Sequence, residues 1–323
     1  MLMGRSVQPT NLHSGSSSLP LVSVGVPVRN GATTLALALD SVVNQTYPHL
    51  EIIISDNCSG DATGEIALFY ANRDPRIRYY RHDTMLTALN NFRFTLEQAH
   101  GKYFMWAADD DLRSSNFVEI LANRLDREPG AAMVFSEVTE FDDYASYRDR
   151  PATQHAFATT GLSLWQRINQ QTHHGCMHIF GLFRADYLRD YTWSDIESGP
   201  DIIMLLTIGT VANFVYQPGA MFYYYRPPNR DHEQRARESA PNSRGLRPFH
   251  PERLAWLAAT GMAEASGRIG CPRSRLRLFL YLYYQMTQGI KGIIFRWTPL
   301  LLRQVWHRLK LALAVHGTVS RRS

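Results

Sequence analysis

The chain reads as an α/β protein: a mostly parallel sheet with helices on both faces. Two observations carry that prediction. Short runs dominated by Val and Ile, at residues 21–26 and 51–55, alternate with segments of helix length, the pattern of strands buried on both faces. Polar clusters then stand where strands end: Pro27 to Asn30, Asp56 with Asn57, and Asp109 to Asp111. In open sheets of this kind ligands bind beyond the carboxyl ends of the strands, so these clusters mark one functional edge.

In chain order, residues 21–26 (LVSVGV) form the first strand, which stops at Pro27 because proline has no amide to donate. Residues 33–44 follow as a helix capped by Thr33 or Thr34, with Leu35, Leu39, Val42 and Val43 on one face. The second strand, 51–55, is closed by the turn-forming DNCSGD at 56–61. A helix runs from Asp61 into the low seventies, a short strand covers 77–80, and a helix over 91–99 stops at Gly101. The fourth strand, 103–107, runs straight into the three aspartates. The second half is less regular: a helix at 114–127, a strand at 131–137, a polar loop at 142–154, a helix at 162–169 and a strand at 177–184. A helix at 201–210 follows the break at Gly199 and Pro200, and strands cover 214–216 and 221–226. Residues 227–251, rich in Arg, Pro and Asn, read as a mobile loop.

Composition limits the function classes. At 323 residues, 45% hydrophobic and 20% charged, the chain is an ordinary globular protein with ample core. Cys58, Cys176 and Cys271 are odd in number and widely spaced, which argues against a disulfide framework or a cysteine zinc site and fits a reducing, cytoplasmic compartment. Residues 1–20 lack a continuous apolar core and read as a flexible lead-in, not a signal peptide. The net charge of +5 is uneven: residues 265–323 hold eleven Arg and Lys and no Asp or Glu, so the rest is net acidic and no nucleic-acid partner is expected. Within the tail, the uncharged run 278–290 is shorter than the roughly twenty residues a bilayer needs. Farther on, Leu302, Val305, Trp306, Leu309, Ala312 and Leu313 share one helical face and Arg303, His307 and Lys310 another. A basic amphipathic helix of this kind suits an anionic membrane surface, such as the inner face of the cell membrane; the alternative is packing on the main domain.

Three adjacent carboxylates repel one another, so ending an apolar strand with Asp109, Asp110 and Asp111 costs stability unless a cation compensates. Mg²⁺ and Mn²⁺ take oxygen ligands, often one or two carboxylates plus substrate phosphates. The competing reading is a solvated acidic turn before the next helix.

The segments VSVGVPVRN (22–30), LDSVVNQTYPHLEIIISDNCSGDAT (39–63) and GKYFMWAADDDL (101–112) together resemble family 2 glycosyltransferases, over roughly residues 20–235. The resemblance implies the GT-A fold, a Rossmann-like sheet flanked by helices, here followed by a C-terminal helical extension. It implies a nucleotide-sugar donor, an inverting transfer to a glycan or lipid-linked acceptor, and a role in surface polysaccharide assembly. It divides residues 21–235 into a nucleotide-sugar-binding half at 21–112 and an acceptor-binding half at 113–235; beyond it, residues 236–323 read as a loop plus a basic, partly amphipathic helical region.

Position by position, the resemblance places Pro27, Arg29 and Asn30 along the nucleotide; the family often has Tyr where Arg29 stands. It places Asp56 on the nucleobase, the alternative being an Asx-turn or helix-cap carboxylate, and Asn91 at a ligand-contacting position. The family's metal motif is Asp-x-Asp, so either Asp109 and Asp111 are its ends or Ala108 replaces the first carboxylate and Asp110 is the second. The second alignment is preferred, with Asp110 closest to the metal and Asp109 near the sugar or ribose.

Inverting transfer also needs a base for the acceptor hydroxyl. The segment 198–226 resembles the family's block of acidic residue, helix, strand and arginine, and Asp201 occupies the position of the catalytic carboxylate; otherwise it is a carboxylate complementing a helix dipole. Arg226 and His232 fall where relatives place basic residues near the diphosphate. His173, His174, Cys176 and His178 match no standard zinc spacing and are read as lining the acceptor pocket beside residues 181–184. Two rivals stand: a nucleotidyltransferase, which needs more basic residues after the first strand than Arg29, and a non-catalytic scaffold on the same fold.

Overall fold

A computed structural model describes residues 19–152, 156–174, 177–191, 193 and 200–227. The expected C-terminal helical extension, His232 and the amphipathic segment 302–313 lie outside these residues.

The first half alternates β1 (Val22–Val28), α1 (Leu35–Val43), β2 (Leu50–Asp56), α2 (Thr63–Ala71), β3 (Ile77–Arg81), α3 (Ala88–Glu97) and β4 (Tyr103–Trp106). The second half adds β5 (Leu112–Arg113), α4 (Phe117–Arg127), β6 (Ala131–Phe141), α5 (Leu164–His174), β7 (Leu182–Arg184), α6 (Ala185–Arg189), α7 (Pro200–Val211) and β8 (Asn213–Tyr225). The strands form one mixed sheet in the order β3-β2-β1-β4-β7-β6-β8-β5. Pairing is parallel from β3 through β4, turns antiparallel on both sides of β7, and is parallel again between β6 and β8.

The sheet is covered on both faces because its strands are apolar on both. Val22, Val24, Val26 and Val28 of β1 pack with α1 (Leu35, Leu39, Val42) and α4 (Phe117, Leu121, Leu125). The opposite face carries Ile53, Phe104, Trp106 and Phe183 against Leu96 of α3 and Met204, Leu205 and Ile208 of α7. On that face β1 offers only Ser23, Gly25 and Pro27, and the reason is proximity: a Cβ at Gly25 would stand 2.4 Å from Thr95 Oγ1 of α3. Arg184 closes the far end of α4 by donating to the carbonyls of Leu125, Glu128 and Ala131.

Several expectations are corrected. Pro27 lies inside β1, not at its end, since the chain pairs with β2 through Asp56. The ladder with β4 has finished at Gly25, so the missing amide of Pro27 faces no partner strand. Thr34 precedes α1 without a side-chain cap; the amides of Thr34 and Leu35 donate to the Gly31 carbonyl instead. The strand expected over 177–184 is a 3₁₀ turn, Met177–Phe180, followed by the short β7. The two strands expected at 214–216 and 221–226 are one, β8, whose register against β6 shifts around Gly219 at φ +93°. Among the described residues no helix is long and apolar enough to cross a membrane.

Candidate functional site

The carboxyl ends of the parallel strands β1, β2 and β4 meet on one edge, and their loops are cross-braced. Asn30, held at φ 52°, accepts from the Gly60 amide at 2.9 Å while its own amide donates to Ser59 Oγ at 2.9 Å. The Gly31 and Ala32 amides donate to Thr63 Oγ1 (2.8 Å) and Asp61 Oδ2 (3.1 Å). The carboxylate of Asp109 lies directly over Gly31, where an added Cβ would stand 2.3 Å from Asp109 Oδ2. A glycine is therefore what lets the β1 loop and the aspartate turn come together. Arg29 begins this loop, half-buried.

Asp56 at the end of β2 is fully buried. Its Oδ1 accepts from the Ser59 amide at 2.9 Å, and its Oδ2 accepts from Tyr79 Oη (2.9 Å) and Arg81 Nη1 (3.1 Å). Burial, and then the hydrogen bond to Asp56, push the Tyr79 phenol up. Asn57 clasps Leu86 by both its amide and its carbonyl. Asn91 is buried against Ser55, accepting from its Oγ at 2.6 Å and donating to its carbonyl at 3.2 Å, so it joins α3 to β2.

The aspartate turn leaves β4 with the Ala107 amide donating to the Gly25 carbonyl. Asp109 is half-buried; Asp110 is 8% and Asp111 1% exposed. Asp111 Oδ1 accepts from the Tyr225 amide at 2.8 Å, while its buried Oδ2 has no hydrogen-bond partner. Tyr144 Oη donates to the Asp110 carbonyl at 2.7 Å, and its ring packs on Tyr225 at 4.6 Å. Burial, with the charge of Asp110 added, drives the Asp111 carboxyl well above the usual carboxylate range; the Tyr225 amide and the Arg113 charge oppose this. Arg113 donates from Nη2 to the Trp106 carbonyl at 2.7 Å. Burial pulls its guanidinium down to about 10 against the opposing charge of Asp111. Burial and Asp110 together raise the Tyr144 phenol.

Asp201 sits half-buried in the first turn of α7, whose Met204, Leu205 and Ile208 pack on the sheet face that carries Trp106. Arg226 follows Tyr225, donates its amide to the Phe141 carbonyl, and pairs with Glu140 at 3.0 Å. His178 is buried among Phe135, Phe157 and Phe214; the side chains of His173, His174 and Cys176 lie outside the described residues.

Among the described residues no three His, Cys, Asp or Glu side chains form a metal cage by themselves. Crowded carboxylates with an orphaned buried oxygen on Asp111 are nonetheless a hard-oxygen donor set that fits Mg²⁺ or Mn²⁺ once phosphate oxygens complete the shell.

Sequence reasoning missed Arg113, Tyr144 and Tyr225. Tyr144 lies in a polar stretch that reads as plain loop, and Tyr225 acts through its backbone, which no side-chain pattern reveals. For Arg113 the sequence signal is a lone cation between Leu112 and the polar Ser114, Ser115 and Asn116 that precede α4.

The family model described as Glycosyl transferase family 2 matches residues 23–192. An uncharacterized glycosyltransferase of Rickettsia typhi is 31% identical over 161 residues, covering 49% of each chain. Glycosyltransferase GlyG of Streptococcus pneumoniae is 26% identical over 151 residues, covering 47% of this chain and 50% of its own. The chain thus spans about half the length of these curated relatives. Among solved structures, S. aureus TarS 1–349 in complex with UDP-GlcNAc is similar with a TM-score of 0.63 at 15% identity, covering 88% of this chain and 77% of its own.

Proposed function

Because the chain belongs to glycosyl transferase family 2, we propose that it moves a sugar from a nucleoside-diphosphate donor to a hydroxyl of a glycan or lipid-linked acceptor, with inversion at the anomeric carbon. The observation that carries this reading is the meeting of Asp109 with Gly31: it brings the turn with the acidic trio onto the loop that ends β1. The binding of UDP-GlcNAc by TarS, a protein of similar fold, supports a donor of this class.

In this reading Pro27, Arg29 and Asn30 line the nucleotide, with Asp56 and Asn91 shaping the wall behind the base. Asp110, with Asp109 and Asp111 beside it, would hold a Mg²⁺ or Mn²⁺ ion, Asp110 foremost, and Asp109 would also serve the sugar. Such an ion, when bound, supplies neutralising charge to the diphosphate leaving group. Asp201 accepts the proton of the acceptor hydroxyl as that oxygen attacks the anomeric carbon; the bond from that carbon to the diphosphate breaks, and the nucleoside diphosphate departs. Arg226 and His232 serve the diphosphate side. The setting we propose is surface-polysaccharide assembly in the cytoplasm, with the segment 302–313 resting on the anionic inner face of the membrane.

The test is donor hydrolysis by the full chain with a panel of nucleotide sugars, each with Mn²⁺ or Mg²⁺. Release of nucleoside diphosphate from one donor, lost on chelation, is expected. No release from any donor, with or without acceptor extracts, overturns the reading.

A further inference from the structure

Arg113 is the least economical residue of the fold. It is 4% exposed and lies between the rings of Phe117 (5.6 Å) and Phe222 (5.1 Å). Its Nη2 donates to the Trp106 carbonyl, while Nε and Nη1 have no hydrogen-bond partner. Burying a guanidinium with most of its donors idle is costly, and an apolar side chain in place of a buried ion is commonly neutral or better. Residues that break the packing rules in this way mark functional positions. What Arg113 gains is a grip on the turn: its own backbone stands just after the aspartates, and its side chain reaches back to the last residue of β4 before them. Beside the pairing of Leu112 and Arg113 with β8, this contact closes the base of the loop carrying Asp109, Asp110 and Asp111. Its top is held separately, by Tyr144 on the Asp110 carbonyl and Tyr225 on Asp111.

We propose that Arg113 is a positioning residue that fixes the aspartate turn for the diphosphate end of the donor; this rests on the donor-site reading above. It touches no substrate and acts through the backbone of the turn. Its role is therefore placed on the aspartate turn, at the diphosphate and metal end, and not on the loop that follows β2.

Calorimetry with the full chain separates these ends. The probe is whichever of UDP, GDP, TDP and ADP binds the unaltered chain most tightly with Mn²⁺, together with the matching monophosphate. Arg113→Met is expected to weaken the diphosphate with Mn²⁺ at least tenfold while the monophosphate binds within twofold of the unaltered chain. Arg113→Lys, which can still reach the Trp106 carbonyl, is expected to recover most of the loss. A diphosphate affinity unchanged in Arg113→Met overturns the inference, as does an equal loss on both nucleotides that Lys does not repair. Should Arg113→Met fail to fold, Arg113→Lys against Arg113→Gln decides: tighter diphosphate binding by the Lys variant supports the inference, and equal binding overturns it. If no diphosphate binds the unaltered chain, the donor-site reading itself fails; if Asp110→Ala loses the diphosphate and Arg113→Met keeps it, only the present inference does.

Discussion

The backbone amide of Tyr225 donates to Asp111 Oδ1 at 2.8 Å, so the last long strand of the sheet ends by holding the acidic turn that follows β4. Because β8 pairs with both β6 and β5, this contact, together with Tyr144 Oη on the Asp110 carbonyl, anchors the turn to the second half of the chain. Asp111 is the most buried of the three carboxylates, 1% exposed. Asp110 is buried as well, at 8% exposed, and Asp109 is half-buried with its carboxylate over Gly31.

Asp110→Ala is therefore expected to reduce metal-dependent donor hydrolysis by about 10²-fold or more, the scale of losing one main stabiliser of leaving-group charge. Full activity in this variant, or activity indifferent to chelation, would sink the metal assignment. Its melting temperature should stay close to that of the unaltered chain.

Asp201→Asn keeps the size of the side chain at the start of α7 and removes its capacity to take a proton. Turnover is expected to fall by about 10²- to 10⁴-fold, with the apparent KM for the donor little changed. Steady-state kinetics that return a normal kcat would remove Asp201 as the base.

Gly25→Ala and Gly31→Ala test two close approaches with different consequences. At Gly25 the new methyl meets Thr95 and Phe104 in the core, so a loss of about 1–3 kcal/mol in stability is expected by denaturant melts. At Gly31 it meets the Asp109 carboxylate first, at 2.3 Å, and Val28 at 2.8 Å, so donor binding should weaken more than stability. Equal melting losses in the two variants would contradict this division.

Glu51 predicts the acid behaviour of the fold. Burial pushes its carboxyl up, but hydrogen bonds from Ser23 and His100 and the charge of Arg78 outweigh this and leave it below its ordinary value of 4.5. A folded-state value below the unfolded one stabilises above the unfolded value, and that stability disappears as pH falls through the folded value. Glu51→Gln is expected to cost about 1–3 kcal/mol near neutrality. The difference from the unaltered chain should shrink below pH 4.5. A gap that stays constant down to acid pH would show that Glu51 acts by shape alone.

The first half of the fold was legible in the sequence because local pattern and tertiary role agree there. Val22, Val24 and Val26 alternate with small residues, and the strand they predict is the strand observed, displaced only at Pro27, whose tolerance depends on where β4 stops. The second half was harder because its elements are defined by partners. β5 is two residues long and α6 five, lengths at which no periodicity exists. The long β8 reads as two strands because Gln217, Pro218 and Gly219 interrupt it, and only pairing with β6 across the bulge makes it one. At the edge, the residue types visible in sequence (Asn30, Asp56 and the aspartates) are where the strand ends were expected to put them. The turn alternative for Asp56 anticipated its Oδ1, which takes the Ser59 amide; not visible were the Tyr79 and Arg81 contacts on its Oδ2 and the pairing of Asn91 with Ser55.

The exchange between Asn30 and the Ser59–Gly60 pair, one bond in each direction, has a further consequence. Two loops that leave different strands are riveted into one rigid lip, stiffened again where Gly31 and Ala32 meet Thr63 and Asp61. A ligand arriving at such a lip has little chain left to freeze, so more of its contact energy survives as affinity. For the proposed donor, selectivity among nucleotides is then expected to come from steric rejection by a wall that does not yield. Loosening either rivet should make the protein more tolerant before it makes it less stable.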